Sequence, residues 1–218
     1  MKPENKIICG DCLDIMKDWP DECVDLVLTD PPYGIERFKH GSLRFDKKQE
    51  YPNGLKWDNK PTRETLLDII KIGKHSIIWG MNNLLLPTTE YFVVWNKKQT
   101  VDNFASAEIA WTNIKMPAKV FEYSIHLHNQ TEKNHPTQKP LTLGTWILER
   151  YSKPNDLILD CYCGSGTFCV AAKMLGRRYI GIDISPEYCK IAEERLKAVD
   201  TGVPVKEARQ GQGALFSD

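Results

Sequence analysis

The 218-residue sequence predicts an α/β fold built on a mostly parallel sheet. Three observations predict it. Short apolar runs typical of buried strands alternate along the chain with longer runs whose apolar residues follow a helical period. In the last third, a strand, a glycine-rich turn, a helix, a second strand and a second helix follow one another. This order is that of a βαβ unit, whose two strands lie parallel in one sheet.

The strands are predicted from short runs rich in aliphatic and aromatic residues. In chain order they are residues 6–9, 24–30, 76–80, 91–96, 105–112, 156–160 and 178–183. The helices are predicted from apolar spacing and from their termini, at residues 11–19, 62–72, 141–151, 168–175 and 186–199. Thr62 can cap the second helix, Gly176 can end the fourth, and Pro186 suits the first turn of the fifth.

A single domain is predicted over residues 1–199, with small polar inserts near 36–60 and 115–134. The first insert mixes seven basic and four acidic residues with four aromatic residues. This mixture suits a phosphate backbone and unstacked bases, and it equally suits a solvated loop anchored by a few aromatic side chains. Residues 200–218 are rich in Gly and Gln and lack an apolar period, which predicts a disordered tail.

Composition narrows the class of protein. Lys+Arg and Asp+Glu both number 29, so overall charge gives no support to a nucleic-acid partner, although local patches matter more than the sum. No apolar run approaches the roughly 20 residues that span a bilayer, and no signal pattern opens the chain, so we expect a cytoplasmic protein without a membrane partner. The seven scattered cysteines are interpreted as reduced thiols, and no metal site is predicted from their spacing.

The segment from Asp30 to Tyr33, sequence DPPY, ends a strand in an unusual way. Pro31 and Pro32 have no N–H and a fixed φ, so they stop the strand and stiffen the chain beyond it. The Asp30 carboxylate, the Pro31 carbonyl and the Tyr33 ring are thereby held together at one strand end. Two rigid acceptors beside an aromatic face predict a socket for a flat group that carries an amino group.

The turn after the strand at 156–160 predicts a nucleoside cofactor. It reads DCYCGSGT from Asp160 to Thr167 and opens a helix, so Gly164 and Gly166 let the backbone approach a ligand. Asp183 ends the next strand, where an acid can bond ribose hydroxyls. No third glycine follows at the dinucleotide spacing, which argues against the alternative of a Rossmann dehydrogenase. Asp160 suits a cationic amino group, as in the methionine end of S-adenosylmethionine.

The segment from Asn134 to Pro140, NHPTQKP, allows two interpretations. Thr137 and the N-terminus of the next helix can bind a carboxylate, with Lys139 nearby. Alternatively the segment is a simple loop and helix cap.

Taken together and in this order, the motifs resemble those of the beta-group, circularly permuted DNA methyltransferases, which methylate amino groups. The similarity extends from Ile7 to about Leu196 and includes the tripeptides that begin at Gly10 and Ile78 and the segment 94–98. It implies a Rossmann-like, S-adenosylmethionine-dependent methyltransferase fold with a seven-stranded, mostly parallel sheet.

The resemblance also implies site residues. The catalytic motif is matched by Asp30, Pro31, Pro32 and Tyr33. The positions matched to cofactor binding are Asp11, Thr137, Lys139, Asp160, Gly164, Gly166, Thr167 and Asp183. Within this second set, Asp11 would lie near the cofactor adenine and Asp183 would hold the ribose. Thr137 and Lys139 belong to the segment that supports the methionine end.

The expected reaction is methyl transfer from S-adenosylmethionine to the N6 amino group of adenine in double-stranded DNA, with the base flipped out of the duplex. Aspartate at the first motif position favours adenine over cytosine N4. Cytosine-N4 methylation, RNA methylation and a non-catalytic nucleic-acid binder on the same fold stay open as alternatives. A restriction-modification system or a phage would be a suitable context.

Further partners are suggested by the sequence. Gln212, Leu215 and Phe216 resemble the peptide that docks into bacterial sliding clamps, although a frayed tail with two apolar residues explains them as well. A homodimer is another way in which a small enzyme could gain contacts with DNA.

Overall fold

The computed structural model describes residues 3–34, 59–102, 104–130 and 138–202, without the side chains of residues 129 and 130. The strands are β1 (Lys6–Cys9), β2 (Val24–Thr29), β3 (Gly73–Trp79), β4 (Phe92–Asn96), β5 (Ala107–Thr112), β6 (Lys119–Glu122), β7 (Leu157–Asp160) and β8 (Arg178–Asp183). The helices are α1 (Cys12–Met16), α2 (Arg63–Ile72), α3 (Ile125–Gln130), α4 (Leu141–Tyr151), α5 (Thr167–Met174) and α6 (Pro186–Thr201).

All these strands form one sheet in the order β1-β8-β7-β2-β3-β5-β4-β6. β5 runs antiparallel to β3 and β4, and the other neighbouring strands are parallel. The predicted α/β fold with a mostly parallel sheet is therefore confirmed. In the part of the chain that the structure describes, the sheet has eight strands instead of the seven that the resemblance implied. β6 and α3 lie in the segment 115–134, which the sequence predicts to be a polar insert. The sequence does not indicate β6 because this short strand pairs with β4 through its backbone and presents little apolar pattern.

The apolar residues of the central strands alternate between two cores. Leu26 of β2 and Ile158 of β7 belong to the core beneath α4 and α5, whereas Val27 and Leu159 belong to the core beneath α1 and α2. Successive side chains of a strand point to opposite faces, so a strand covered on both faces must be apolar throughout. This explains the continuous apolar runs of β2 and β7.

Most predicted helix termini lie within two residues of the observed ones, but α1 ends at Met16, three residues before its predicted end. The Thr62 hydroxyl accepts a hydrogen bond from the Thr65 N–H, and the Ser185 hydroxyl accepts one from the Tyr188 N–H. Gly176 has φ of +69°, a left-handed conformation that suits the residue just after a helix. No helix among the described residues is long and apolar enough to cross a membrane.

The strand order brings four loops to one edge of the sheet. From β2 the chain continues to β3 on one side, while β7 is followed by β8 on the other side. The boundary between β2 and β7 is therefore a topological switch point, and ligands of open α/β sheets bind beside such a point at the carboxyl ends of the strands. Asp30, Gly80, Cys161 and Ile184 directly follow the carboxyl ends of β2, β3, β7 and β8.

Gly181 of β8 provides a test of this packing. A methyl group at this position would lie 2.6 Å from Ile7 Cδ1, 2.8 Å from Cys169 Sγ and 3.1 Å from Cys163 Sγ. We expect Gly181→Ala to lower the free energy of unfolding by about 1–3 kcal/mol, measured by urea denaturation, because overpacking forces its neighbours to move.

Ile7→Val is the matched second variant because it removes the nearest atom, Cδ1. The double variant should lose less stability than the sum of the two single variants. A Gly181→Ala protein as stable as the wild type would show that the interior around β8 is looser than these distances imply.

Candidate active site

A cavity of about 430 Å³ opens at the carboxyl edge of the sheet, at the switch point. It is lined by residues that follow β1, β2, β7 and β8 and by the segment before α4. Among them are Asp11, Leu13, Asp30, Pro31, Pro32, Tyr33, Lys139, Asp160, Gly164, Ser165, Thr167, Asp183 and Ile184. Asn59 and Lys60, the described end of the first polar insert, also line it. The predicted site residues in this lining therefore meet at one cavity, although their segments are far apart in the sequence.

Asp30 is held at the end of β2 by two donors. The Tyr33 hydroxyl donates to one carboxylate oxygen, and the Lys139 ammonium donates to the other. Burial and the nearby Glu108 carboxylate raise the pKa of Asp30, while Lys139 opposes the rise. Each carboxylate oxygen has a second lone pair, so Asp30 keeps acceptor capacity for a further N–H donor.

Lys139, which is predicted to support the methionine end of the cofactor, lies next to the Asp30 carboxylate. It lines the cavity, but its ammonium forms ion pairs with Asp30 and, at 3.1 Å, with Glu108 of β5. The Lys139 side chain is only 6% exposed. The two carboxylates hold the pKa of Lys139 well above its usual range despite burial. The structure therefore joins Lys139 to Asp30 of the DPPY segment, and its predicted role in cofactor binding stays a prediction.

The Tyr33 ring packs directly on the backbone of Gly80. Gly80 has φ of +84°, and a Cβ there would lie 2.1 Å from Tyr33 Cε1. Any side chain at this position would displace the ring from its place beside Asp30. The tripeptide that begins at Ile78 ends with Gly80 and is part of the family resemblance. Nothing in the local sequence indicates that this glycine makes room for the Tyr33 ring.

Asp160 is almost completely buried at the end of β7. Its carboxylate accepts hydrogen bonds from the Thr29 hydroxyl at 2.7 Å and from the Tyr162 N–H at 3.2 Å. Burial raises the pKa of Asp160 to about 7, and these two bonds only partly offset the effect. The acid therefore titrates near neutral pH and gains from a cationic ligand.

The glycine-rich turn is supported from α6. Gly166 has φ of +78°, and a Cβ there would lie 2.7 Å from Ala192 Cβ, so only glycine fits. The Arg195 guanidinium donates to the Ser165 carbonyl at 2.6 Å and to the Thr167 hydroxyl at 3.2 Å. Arg195 was not predicted as a site residue, because an arginine on a helix surface gives no local signal of the loop it contacts.

The remaining acids lie at the other end of the cavity. Asp183 accepts hydrogen bonds from the N–H groups of Gly164 at 2.8 Å and Ser185 at 2.9 Å, and burial raises its pKa. Asp11 caps α1 by accepting from the Leu13 N–H at 2.8 Å. The ends of β1 and β8 are neighbours, since Cys9 pairs with Asp183, so Asp11 and Asp183 meet at one edge.

Several predictions fall outside the described residues. Thr137 is one, and most of the first polar insert, residues 36–58, is another. The tail residues Gln212, Leu215 and Phe216 also lie outside. These assignments stay predictions.

Comparison with known proteins identifies the family. The sequence profile of the N6/N4 methyltransferase family, described as DNA methylase, matches residues 42–194, which is more than half of the chain. The chain belongs to this DNA methylase family. The type II methyltransferase M.HinfI of Haemophilus influenzae is 27% identical to it over an alignment of length 247, which covers 89% of this chain and 69% of the relative.

Solved structures share the fold of this DNA methylase. The M1.HpyAVI–SAM complex has a TM-score of 0.57 at 24% identity and covers 88% of this chain and 99% of that chain. The PvuII DNA methyltransferase, described as cytosine-N4-specific, has a TM-score of 0.57 at 16% identity and covers 100% of this chain and 97% of that chain. The family match confirms the predicted DNA methyltransferase as a class. S-adenosylmethionine, the predicted cofactor, is the ligand of the M1.HpyAVI complex.

Asp160 makes the stability of this DNA methylase depend on pH. Its pKa is about 7 in the folded protein and 3.8 when unperturbed. The folded state therefore holds this proton more strongly than the unfolded state. The stabilisation is complete below about pH 4 and is lost as the pH rises to about 7.

Asp160→Asn removes this titration while it keeps an oxygen for Thr29. We expect the variant to gain stability relative to the wild type between pH 4 and 7, by roughly a few kcal/mol in total, in urea denaturation series at several pH values. Asp68→Asn, an exposed change on α2, is the control. A difference in the free energy of unfolding between Asp160→Asn and the wild type that stays constant across this range would contradict a raised pKa of Asp160.

Proposed function

We propose that the protein transfers a methyl group from S-adenosylmethionine to the N6 amino group of adenine in double-stranded DNA. One observation carries the proposal. The rigid strand end with Asp30 and Tyr33 opens into the same cavity as the glycine-rich turn and the acids Asp160 and Asp183. A socket for an amino group and a site for a nucleoside cofactor thus share one cavity.

The cavity suits S-adenosylmethionine chemically. When bound, this cofactor supplies a methyl group on a positively charged sulfur. Asp160 would bind the ammonium group of its methionine end, since a buried acid with a raised pKa gains from a cation. Asp183 keeps lone pairs for ribose hydroxyls beside its two backbone donors. Leu13 and Ile184 are 37% and 66% exposed and line the cavity, so they can cover a flat base.

Asp30 would orient the amino group of the target base. The lone pair of an adenine amino nitrogen is delocalised into the ring, which makes the nitrogen a poor nucleophile. The Asp30 carboxylate and the Pro31 carbonyl can each accept one N–H, which favours a pyramidal nitrogen with its lone pair directed at the methyl group. The new N–C bond would form as the bond between the methyl carbon and sulfur breaks, which leaves a neutral thioether, and the proton that the nitrogen gives up would pass to Asp30. Fixed acceptors in a buried site supply rate through orientation and electrostatics.

The base has to leave the duplex to reach Asp30. Its amino group is paired inside double-stranded DNA, so flipping costs roughly a few kcal/mol. Stacking on the Tyr33 ring would offset part of this cost, since base–aromatic stacking contributes about 1–3 kcal/mol. Lys60 lines the same cavity and offers a cation to the DNA backbone.

Cytosine N4 is the second candidate acceptor, because its amino group has the same geometry as that of adenine. The aspartate at position 30 favours adenine through the family resemblance. The experiment that decides is incubation of the protein with mixed-sequence duplex DNA and S-adenosylmethionine carrying a labelled methyl group, followed by digestion to nucleosides and mass analysis. Labelled N6-methyladenine supports the proposal, whereas labelled N4-methylcytosine makes cytosine the methyl acceptor. Unlabelled DNA together with label in an RNA sample makes RNA the substrate.

Asp30→Asn tests the role of the carboxylate. We expect the rate of methyl transfer to fall at least about a hundredfold, since an amide is a weaker acceptor and cannot take the proton. The affinity for S-adenosylmethionine, measured by calorimetry, should change only a few-fold. Asp68→Asn serves as the control with wild-type activity. Equal losses of cofactor affinity and rate would place Asp30 in cofactor binding instead.

A further inference from the structure

Four charged side chains form a charge network behind the proposed amino-group socket. The Asp30 carboxylate contacts the Lys139 ammonium, Lys139 contacts Glu108, and Glu108 contacts Lys97. Asp30 and Lys139 line the cavity, whereas Glu108 and Lys97 are not among the described residues that do. Glu108 can therefore act on a ligand only through Lys139 and Asp30.

The four side chains of this charge network are well shielded from water. The exposed fractions are 6% for Lys139, 17% for Asp30, 23% for Glu108 and 15% for Lys97. Two acids and two bases give a net charge of zero, so the group avoids the large cost of an uncompensated buried charge. The two cations hold the pKa of Glu108 at about 2, and Glu108 stays ionised at every pH at which the protein would work.

Sharing of the ammonium changes what Asp30 can do. A buried ammonium with Asp30 as its single partner would bind that carboxylate tightly and withdraw its capacity to accept other hydrogen bonds. With Glu108 on its other side, the Lys139 charge is divided between two carboxylates. Glu108 also repels negative charge on Asp30, which makes the Asp30 carboxylate a stronger acceptor.

We propose that Glu108 is a positioning residue, which shares the Lys139 ammonium with Asp30 and so keeps the Asp30 carboxylate a strong acceptor for the amino group of the target base. The role in catalysis rests on the proposed function. The effect of Glu108 on Asp30 does not, because it is a property of the protein alone. A purely structural role, in which Glu108 only ties β5 to the end of β4 through Lys97, would leave Asp30 unaffected.

Direct titration of Asp30 separates these two roles. The groups that face Asp30 are Tyr33 on its own loop, Lys139 before α4, Glu108 on β5 and Asp160 at the end of β7. Among them, Glu108 and Lys139 act in opposite directions. Loss of the Glu108 charge should lower the pKa of Asp30, and loss of the Lys139 charge should raise it.

The experiment follows the carboxyl carbon of Asp30 by NMR over a pH series, in full-length protein without cofactor or DNA, with the signal assigned by its loss in Asp30→Asn. In Glu108→Gln the midpoint should move to lower pH, and in Lys139→Met to higher pH. Glu122→Gln is the matched control, because Glu122 pairs with the neighbouring Lys98 at 2.9 Å on an exposed face. An unmoved or raised midpoint in Glu108→Gln would overturn the proposal.

Lys97→Met is the second variant, and it keeps the proposal falsifiable if Glu108→Gln does not fold. Without Lys97, Glu108 has Lys139 as its remaining partner in this charge network and draws the Lys139 ammonium away from Asp30. The Asp30 midpoint should then move to higher pH, the reverse of the shift in Glu108→Gln. An unmoved midpoint in Lys97→Met would count against the proposal.

Methyl transfer provides the functional readout. In Glu108→Gln we expect kcat to fall about tenfold, comparable to the weakening of one charge-assisted hydrogen bond, with unchanged affinity for S-adenosylmethionine. The acidic limb of its rate profile should move to lower pH together with the Asp30 midpoint. A moved midpoint with unchanged kcat would overturn the catalytic role of Glu108. A wild-type protein that transfers no methyl group would overturn the proposed function, and the titration would still decide whether Glu108 acts on Asp30.

Discussion

The hydrogen bond from the Thr29 hydroxyl to the Asp160 carboxylate joins the two halves of the site. Thr29 ends β2 and Asp160 ends β7, and these strands are neighbours at the switch point of the sheet. One residue after Thr29 comes Asp30, and after Asp160 comes the glycine-rich turn. A buried bond of 2.7 Å therefore fixes the distance between the proposed amino-group socket and the proposed cofactor loop. In-line transfer requires such a fixed distance, because a displacement of the order of 1 Å can cost about a hundredfold in rate.

The second constraint is electrostatic. Asp30, Asp160 and Asp183 line one cavity, and burial raises the pKa of each. The structure compensates these acids in different ways. Asp30 has the ammonium of Lys139, Asp183 has two backbone N–H groups, and Asp160 has one hydroxyl and one N–H. Asp160 thus has no cation among its hydrogen-bond donors in the described residues, which agrees with a proposed ligand that brings an ammonium group.

Close approach of backbone and side chain is the third constraint. Tyr33 reaches its place beside Asp30 because Gly80 has no side chain, and the glycine-rich turn lies against α6 because Gly166 has none. Both glycines have positive φ, so an alanine would add backbone strain to the steric clash. The cavity is therefore shaped by backbone geometry as much as by the charged groups that line it.

Local signals in the sequence determined the elements and the ends of the important strands. The prolines after Asp30, the glycines after Asp160 and the cap at Thr62 act over a few residues, so their meaning can be read without the fold. Contacts between distant segments were decided by the tertiary structure alone. Lys139 lies 109 positions from Asp30, and only the order of the strands brings it and Glu108 together. The edge strand β6 likewise depends on backbone pairing with β4, since its four residues present too short an apolar pattern to be recognised.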